Sequence, residues 1–422
     1  MYRVDTVAES DRRARIGKTA GRAFWFRLHS AIGANLAFVL AFLCATGTLA
    51  VFAWEIDWLA KPEMRAEIAT PRDDTDWTRV VAAAAAAADS EDPGGAIETI
   101  ETGPSAIFAP TAYVRRADGG LATYYFDPRT GEFQGRSGML GVKSILRAVH
   151  SRLAMSGNNG VLLVSGLSIL LLVSLVTAML FHRKWWRGFV TIPRRGKGAR
   201  VFWGDAHRML GAWSLAFGIV MAATGLFYLS EVTIGEAPEF EEAGFPGKAE
   251  NDEAAAAFPR ALATVRAEYP DLSIRRIDWP GRSGAGFVFY GQDGTLLVRP
   301  QSNGMGVDIA SGEIVFRHSG SKAGLHRRIA EAADPIHMGH WGGYPSRTAW
   351  FLFGAMLTGL ALSGGVVAAK RAAYGRPGGG GDSPIRWAGR GARRGIAGGV
   401  MLLAVALVLI GFNLPNEVAF LS

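Results

Sequence analysis

Histidines recur at matched spacings in this chain, and histidine is a residue type that binds metals and haem. His29 is followed by Gly33 and then by Thr46-Gly47, and the same run, H-x3-G-x12-T-G, begins again at His207. A neutral imidazole is a common ligand of metal ions and of haem iron. Two histidines at equivalent places in a duplicated sequence can supply both axial ligands of one iron. The spacing therefore predicts a paired-histidine metal or haem site.

A second pair of histidines repeats this arrangement more loosely. His150 lies 27 residues before Thr177, and His337 lies 26 residues before Ser363. Ionisable residues at or within a membrane are costly, so they are functional candidates. The two pairs together indicate a duplicated chain with two sites.

Long apolar stretches surround these histidines. The chain has 422 residues, of which 49% are hydrophobic and 19% are charged. About 20 residues of helix cross the ~30 Å hydrocarbon core of a bilayer. We predict five transmembrane helices, at 29–58, 149–182, 207–230, 336–369 and 396–414.

The distribution of lysine and arginine predicts the orientation of these helices. Residues 1–28, 183–206 and 370–395 each carry seven basic residues, whereas 59–148 and 231–335 contain more acidic than basic residues. Basic loops stay in the cytoplasm. We therefore predict a bacterial inner-membrane protein whose N-terminus is cytoplasmic and whose two long loops are periplasmic. The net charge of +8 is then a topology signal, and no nucleic acid is expected as a partner.

The single cysteine, Cys44, lies inside the first predicted helix. One cysteine excludes a disulfide framework, a cysteine zinc site, an iron–sulfur cluster and a C-x-x-C-H haem attachment. Any redox centre must be held non-covalently and without thiolates.

The two long loops look like copies of one small α+β unit. Each ends in a D-x-x-[ST]-G-E turn, DPRTGE from Asp127 and DIASGE from Asp308, where glycine permits the positive φ of a tight hairpin. Each unit would have a marginal core alone, so we expect packing on each other and on the membrane helices. The predicted helices are 76–88 and 252–269, and the predicted strands are 96–102, 110–116, 121–127, 273–279, 285–291 and 295–300.

The whole chain is predicted to contain two parallel repeats, 24–182 and 202–369. Because both begin on the same side of the membrane, a pseudo-two-fold axis along the membrane normal relates them. The predicted fold class is a membrane all-α bundle, a four-helix pseudo-two-fold core plus a fifth helix, with two small periplasmic α+β units. A flexible glycine-rich linker, 370–395, precedes the fifth helix.

This symmetry predicts how the histidines pair. His29 and His207 fall at the cytoplasmic edge, and His150 and His337 fall on the periplasmic side. We predict an inner haem held by the first pair and an outer haem held by the second. The alternative for each residue is an edge histidine that reaches into the head groups or caps a helix.

Two further histidines compete for these places. His182, at the end of the second helix, could replace an inner ligand or bind a haem propionate. His340 lies three residues after His337 and, on one helical face, is its rival for the outer haem.

Small and basic residues near the histidines complete the candidate sites. A residue without a bulky side chain lets a flat macrocycle or a neighbouring helix approach, and a guanidinium suits a propionate. Ordinary helix packing and the positive-inside rule are the alternatives. The candidates are Thr46 and Thr224 near the outer haem, Thr177 and Ser363 near the inner one, and the propionate partners Arg27 and Arg208.

A family resemblance rests on these same segments. FRLHSAIGANLAFVLAFLCATGTLAVF, GDAHRMLGAWSLAFGIVMAATGLFYLS, IHMGHWGGYPSRTAWFLFGAMLTGLALSGG and the DPRTGE turn are similar to the PepSY-associated transmembrane family over about residues 22–370. Members include inner-membrane ferric-siderophore reductases with two b-type haems; others are known only as iron-regulated membrane proteins. The resemblance implies two haem b cofactors and a ferric siderophore or other ferric chelate as electron acceptor.

The predicted function is electron transfer across the membrane for iron uptake. No convincing G-x-G-x-x-G dinucleotide motif is present, so a reduced flavin, a quinol or a partner reductase is expected as external donor. One alternative is a non-enzymatic membrane protein that regulates a periplasmic peptidase or envelope partner. Another is a haem-binding sensor or transporter.

Overall fold

A computed structural model of the protein describes residues 3–67, 71–247, 249–281 and 284–374, with side chains described from residue 20 to residue 371 in these ranges. The fifth helix predicted at 396–414 lies outside the described residues, as does most of the linker predicted at 370–395.

The chain forms two compact units. The helical unit comprises the described parts of Met1–Val51, Arg147–Gly235 and Gly342–Leu414, and the sheet unit comprises those of Phe52–Leu146 and Glu236–Trp341. The α-helices of the described residues are α1 (Arg3–Ala50), α2 (Ala53–Ala60), α3 (Trp77–Glu91), α4 (Val142–Arg152), α5 (Asn158–Phe181), α6 (Ala199–Trp213), α7 (Leu215–Thr233), α8 (Asn251–Glu268), α9 (Leu325–Met338) and α10 (Gly343–Tyr374).

Four stretches of helix among the described residues are long and apolar enough to cross a membrane. They are Ala20–Ala50, Asn158–Phe181, Leu215–Thr233 and His340–Arg371. The second of them, α5, contains no charged residue and exposes Leu162, Leu163 and Ile169 on its surface. A helix that is apolar on all sides is typical of a membrane span. Within the helical unit, α1 packs against α10 and α5, α5 packs against α7, and α10 packs against α6.

The predicted third span, 207–230, consists of two helices. Ser214, with φ −92° and ψ 1°, separates α6 from α7. Its backbone N–H donates to Leu210 O at 2.9 Å, and its carbonyl accepts from Gly218 N at 2.7 Å. The Ser214 hydroxyl also donates to Leu210 O, and such a bond within a helix favours a local bend. The hydrogen-bonded chain therefore continues through the interruption.

The other three predicted spans among the described residues are also divided, the fourth (336–369) between α9 and α10. The first, 29–58, is interrupted between α1 and α2. The second, 149–182, is broken between α4 and α5, where Leu153 and Ala154 have φ of 51° and 55°. A Cβ on Gly160 would overlap the backbone of Arg152, so the chain reverses tightly at this break.

The eight strands of the described residues form one antiparallel sheet in the sheet unit. The strand order is β4-β3-β2-β1-β5-β6-β7-β8. The two predicted α+β units are therefore halves of a single sheet, joined where Ile100 lies opposite Ile277 in the central pair β1–β5. The strands are β1 (Ala96–Glu101), β2 (Thr111–Arg115), β3 (Leu121–Phe126), β4 (Phe133–Gly138), β5 (Ser273–Asp278), β6 (Gly286–Gln292), β7 (Asn303–Asp308) and β8 (Ile314–His318).

One hydrophobic core serves both halves of the sheet. Helix α3 begins at an Asp76 cap, whose carboxylate accepts from Arg79 N at 3.1 Å, as is common at helix N-termini. The alanines of α3 let it pack closely on α8. The core contains both helices and the inner face of the sheet, including the fully buried Phe258, Phe287 and Trp279.

The predicted turns are confirmed, but one predicted strand is wrong. Gly131 and Gly312 have φ of 73° and 75° in the two D-x-x-[ST]-G-E hairpins. Residues 295–300 do not form a strand; the third strand of the second half is β7. Its sequence is glycine-rich because Gly304 and Gly306 lie under side chains: a Cβ on Gly304 would be 2.6 Å from His318 Nε2.

Candidate functional site

His29 on α1 and His207 on α6 lie side by side in the helical unit. Their ring centroids are 6.3 Å apart, and their planes meet at 61°. A metal–nitrogen bond is about 2 Å long and the bonding nitrogen is about 1 Å from its ring centroid, so rings at this separation could both reach one metal. His29 and His207 would be able to hold one iron together.

Hydrogen bonds define which nitrogen of each ring is available. His29 Nδ1 lies 2.9 Å from Ser174 O, and His207 Nδ1 lies 3.1 Å from Leu360 O. A carbonyl oxygen only accepts, so Nδ1 donates in both rings and Nε2 keeps its lone pair. An Nδ1–H···O=C bond is also the usual way in which a protein orients a metal-binding histidine. Both rings have the tautomer that binds a metal through Nε2.

A hydroxyl three residues further along the chain binds each of these carbonyls. Thr177 Oγ1 donates to Ser174 O at 3.0 Å, and Ser363 Oγ donates to Leu360 O at 2.9 Å. Ser363 Oγ also lies 3.1 Å from His207 Nδ1. The two small residues predicted near the inner site thus contact the groups that orient its histidines.

Glycines leave space on the helix faces that carry the two rings. Gly33 lies one turn after His29, and a Cβ added there meets nothing within 4 Å. At Gly211, one turn after His207, an added Cβ meets only Leu360 Cδ1, at 3.4 Å. Residues four apart share a helix face. A flat group bound to the histidines has room on this side.

The donor set also fits a haem. No group of three or more His, Cys, Asp or Glu side chains that could hold a metal ion occurs in the described part of the chain. A pair of neutral histidines without carboxylates or thiolates suits an iron whose other positions are filled by a macrocycle. The residues present at His29 and His207 therefore match a b-type haem.

His150 on α4 has the same kind of partners as the first two histidines. Its Nδ1 lies 3.0 Å from Leu43 O, and Thr46 Oγ1 lies 3.3 Å from this nitrogen and donates to Leu43 O at 3.0 Å. Gly47 lies directly under the ring, since an added Cβ would be 2.5 Å from His150 Cε1. The Thr46-Gly47 pair therefore packs directly against the His150 ring.

His337 and His340 belong to the sheet unit, and the pairing of His337 with His150 stays a prediction. His337 is half-buried in the last turn of α9. Gly339, at φ 74°, ends that helix, and the exposed His340 lies in the 3₁₀ turn that follows. The prediction that the two histidines share a helical face is wrong, because the helix ends between them. Thr224, predicted near the outer haem, is buried and donates to Val220 O at 2.9 Å.

His182 follows the last residue of α5. Its Nε2 is buried and has no hydrogen-bond partner among the described residues. Arg22 and Arg208 are the charged groups that act on this ring. Arg208 Nη1 also lies 3.8 Å from Asp205 Oδ1. Both predicted propionate partners, Arg27 and Arg208, are exposed.

Sequence reasoning missed two kinds of group at this site. The carbonyl acceptors of Ser174, Leu360 and Leu43 carry no residue-type signal, although a Ser or Thr three positions later accompanies each of them. Arg371 was also missed: its guanidinium lies 4.7 Å from the centre of the Phe26 ring, and its charge acts on both rings of the His29–His207 pair. It lies in a basic segment that the positive-inside rule already explains.

Comparison with known families agrees with the resemblance found in the sequence. The family described as the PepSY-associated TM region matches residues 26–371. No curated protein matches the chain.

Proposed function

The chain belongs to the PepSY-associated TM region family, and we propose that it is a haem-dependent membrane reductase that delivers electrons to a ferric chelate. The observation that carries this proposal is the facing pair His29 and His207, 6.3 Å apart between ring centroids. Each ring is oriented through Nδ1 and keeps Nε2 for a metal.

The residues at this site would have two roles, binding the iron and orienting the two histidine rings. His29 and His207 would bind the iron through Nε2, while Ser174 O and Leu360 O hold the two rings in place. A bound haem b supplies reversible one-electron chemistry, with a potential set by its ligands, its burial and the hydrogen bonds around it. The apolar helices α1, α5, α7 and α10 would keep water away from the site.

A second site built on His150 supports transfer over a longer distance. His150 has a carbonyl and a hydroxyl partner of the same kind as His29 and His207, with Gly47 directly under its ring, and His337 is its predicted repeat-equivalent histidine. We propose that these two hold a second haem, with His340 as the alternative ligand. Two sites at different depths are what electron passage across the ~30 Å hydrocarbon core needs.

The direction of transfer and the substrates follow from the family resemblance and from the charge pattern. We propose that the protein lies in a bacterial inner membrane, with its basic segments in the cytoplasm. The donor would be a reduced flavin, a quinol or a partner reductase. The acceptor would be a ferric siderophore or another ferric chelate in the periplasm, where reduction to Fe(II) weakens binding by hard oxygen ligands.

A reoxidation experiment tests the reductase activity. Purified protein is reduced with dithionite, the excess is removed, and a ferric hydroxamate is added without oxygen while the haem spectrum is recorded. We expect the reduced spectrum to be lost as Fe(II) appears, and a gallium hydroxamate, which cannot be reduced in this way, to have no effect. A reduced spectrum that persists with the ferric chelate would contradict the proposal and favour a haem-binding sensor or transporter.

A further inference from the structure

The segment between α5 and α6, residues 183–198, exposes large apolar side chains beside basic ones. Ile192 is 83% exposed, Val190 is 81% exposed and Trp186 is 52% exposed. Large apolar residues grouped on a surface mark a contact with another molecule or with a membrane. We call this segment the interfacial loop.

Contacts within the helical unit place the interfacial loop beside the beginning of a membrane span. A Cβ on Gly188 would lie 2.5 Å from Arg208 O and 2.6 Å from Ala212 Cβ, so the loop backbone lies directly on α6. Trp213 Nε1 donates to Phe189 O at 3.3 Å, and the two rings are 5.5 Å apart. The apolar span of α7 begins two residues after Trp213. Phe189 therefore lies level with the start of that span, and Val190 follows it directly in the chain.

The second half of the loop is fixed by an ion pair. Arg194 Nε lies 2.7 Å from Asp205 Oδ2, and Arg194 Nη2 lies 3.1 Å from Asp205 Oδ1. This two-bond geometry is the strong form of an arginine–carboxylate contact. The hydrogen bond from Arg194 holds the pKa of Asp205 below its usual range. The loop is thus held in one conformation near the span.

The charge of the loop indicates what it contacts. It contains six lysine and arginine residues and no acidic residue. All six are exposed, and Arg194 is paired with Asp205 of α6. Tryptophan at the membrane interface and basic residues next to anionic head groups are both favourable. A soluble protein partner would not explain why these apolar side chains lie beside the start of a membrane span.

We propose that the interfacial loop lies in the head-group layer of the membrane, with Val190 and Ile192 in the acyl boundary, and that its basic residues bind anionic phospholipid. The arrangement is that of an amphipathic interfacial segment, in which apolar burial and charge attraction act together. The inference does not depend on haem binding or on reductase activity.

The depth of Ile192 is the first test. The full chain with Cys44→Ala and Ile192→Cys is spin-labelled in vesicles of phosphatidylcholine with a minority of phosphatidylglycerol, and Asp118→Cys at the exposed tip of the β2–β3 hairpin is the control. We expect the Ile192 label to be several-fold more accessible to oxygen than to a water-soluble nickel complex, with the order reversed at Asp118. Equal access of the nickel complex at both positions would overturn the proposal and leave the loop free to bind a soluble protein.

The preference for anionic lipid is the second test. Native mass spectrometry of the whole protein counts retained phosphatidylglycerol and phosphatidylcholine in the wild type and in a Lys184→Gln/Arg187→Gln variant. A matched variant, Arg129→Gln/Lys322→Gln, removes the same charge from exposed positions outside the loop. We expect the wild type to retain several-fold more phosphatidylglycerol than phosphatidylcholine. The retained phosphatidylglycerol should fall by half or more in the loop variant and stay unchanged in the matched variant. No preference, or equal retention by both variants, would overturn the proposal.

Discussion

At the scale of single residues, three histidines share one arrangement of partners. In each, Nδ1 faces a backbone carbonyl, and a Ser or Thr hydroxyl three residues later binds that carbonyl: Ser174 with Thr177, Leu360 with Ser363, and Leu43 with Thr46. The spacing of histidines and small residues could be predicted from sequence because the repeat preserves residue types. The carbonyl partners could not, since every residue has one.

Gly47 gives a prediction at this scale. Replacing it with valine should displace the His150 ring, because even a Cβ would lie 2.5 Å from His150 Cε1. We expect Gly47→Val to lose about half of the bound haem, as expected if one of two paired-histidine sites is lost, while the spectrum of the His29–His207 site remains. Haem per chain is measured by the pyridine haemochrome method.

Gly166 on α5 supplies the matched control for this substitution. An added Cβ there meets nothing within 4 Å, so Gly166→Val should keep the full haem content. Unchanged haem in Gly47→Val would remove His150 from the set of ligands.

At the scale of elements, hydrophobic pattern and turn chemistry predicted most helices and strands. The helix predicted at 76–88 is α3, and the D-x-x-[ST]-G-E turns form as expected. The strand predicted at 295–300 is wrong. That prediction rested on the alternation of apolar and polar residues, whereas the strand that forms, β7, is rich in glycines because rings pack directly above them. The break at Ser214 depends on packing within the helical unit and has no strong signal in the sequence, whereas the break at Leu153 lies just before the turn-forming run Gly157-Asn158-Asn159-Gly160.

The end of α3 gives a pH prediction. Asp92, just after this helix, accepts a hydrogen bond from Tyr124, and that bond, with Arg116 nearby, lowers the pKa of Asp92. A carboxyl with a lowered folded-state pKa stabilises the fold above its unfolded pKa, near 3.9, and loses this contribution as the pH falls through the folded value. We therefore expect Asp92→Asn to destabilise the protein by about 1 kcal/mol at pH near 6 and by less at pH near 3.

Thermal unfolding at the two pH values measures this difference. Asp89→Asn, at an exposed position in the last turn of α3, is the control and should change the unfolding temperature little at either pH. A loss of stability in Asp92→Asn that is equal at both pH values would show that its charge is not the cause.

At the scale of the whole molecule, the duplicated sequence predicted two α+β units but not their fusion. Strands β1 and β5 pair through backbone hydrogen bonds, so the halves share one sheet and one core. Pairing between distant strands depends on backbone groups that all residues possess. The sequence therefore indicated the repeat without indicating which strands meet.

Substitution of Ile277 tests whether the two halves of the sheet share one core. It is fully buried at the central pair, opposite Ile100, and Ile277→Ala should cost roughly 2–5 kcal/mol by leaving a cavity. We expect hydrogen exchange to increase in β3 as well as in β7, since one core stabilises both halves. Faster exchange confined to β5–β8 would mean that the halves unfold separately.

Haem content measures most directly whether facing histidines hold haem in this membrane protein. Protein purified in detergent after expression with added haem is examined by reduced-minus-oxidised spectroscopy and pyridine haemochrome quantitation. We expect about two haems b per chain, from two paired-histidine sites. We also expect about half of that amount in His207→Ala and the full amount in His326→Ala, because His326 lies in the sheet unit outside both predicted pairs. A colourless wild-type protein, or a His207→Ala variant with unchanged haem, would contradict this prediction.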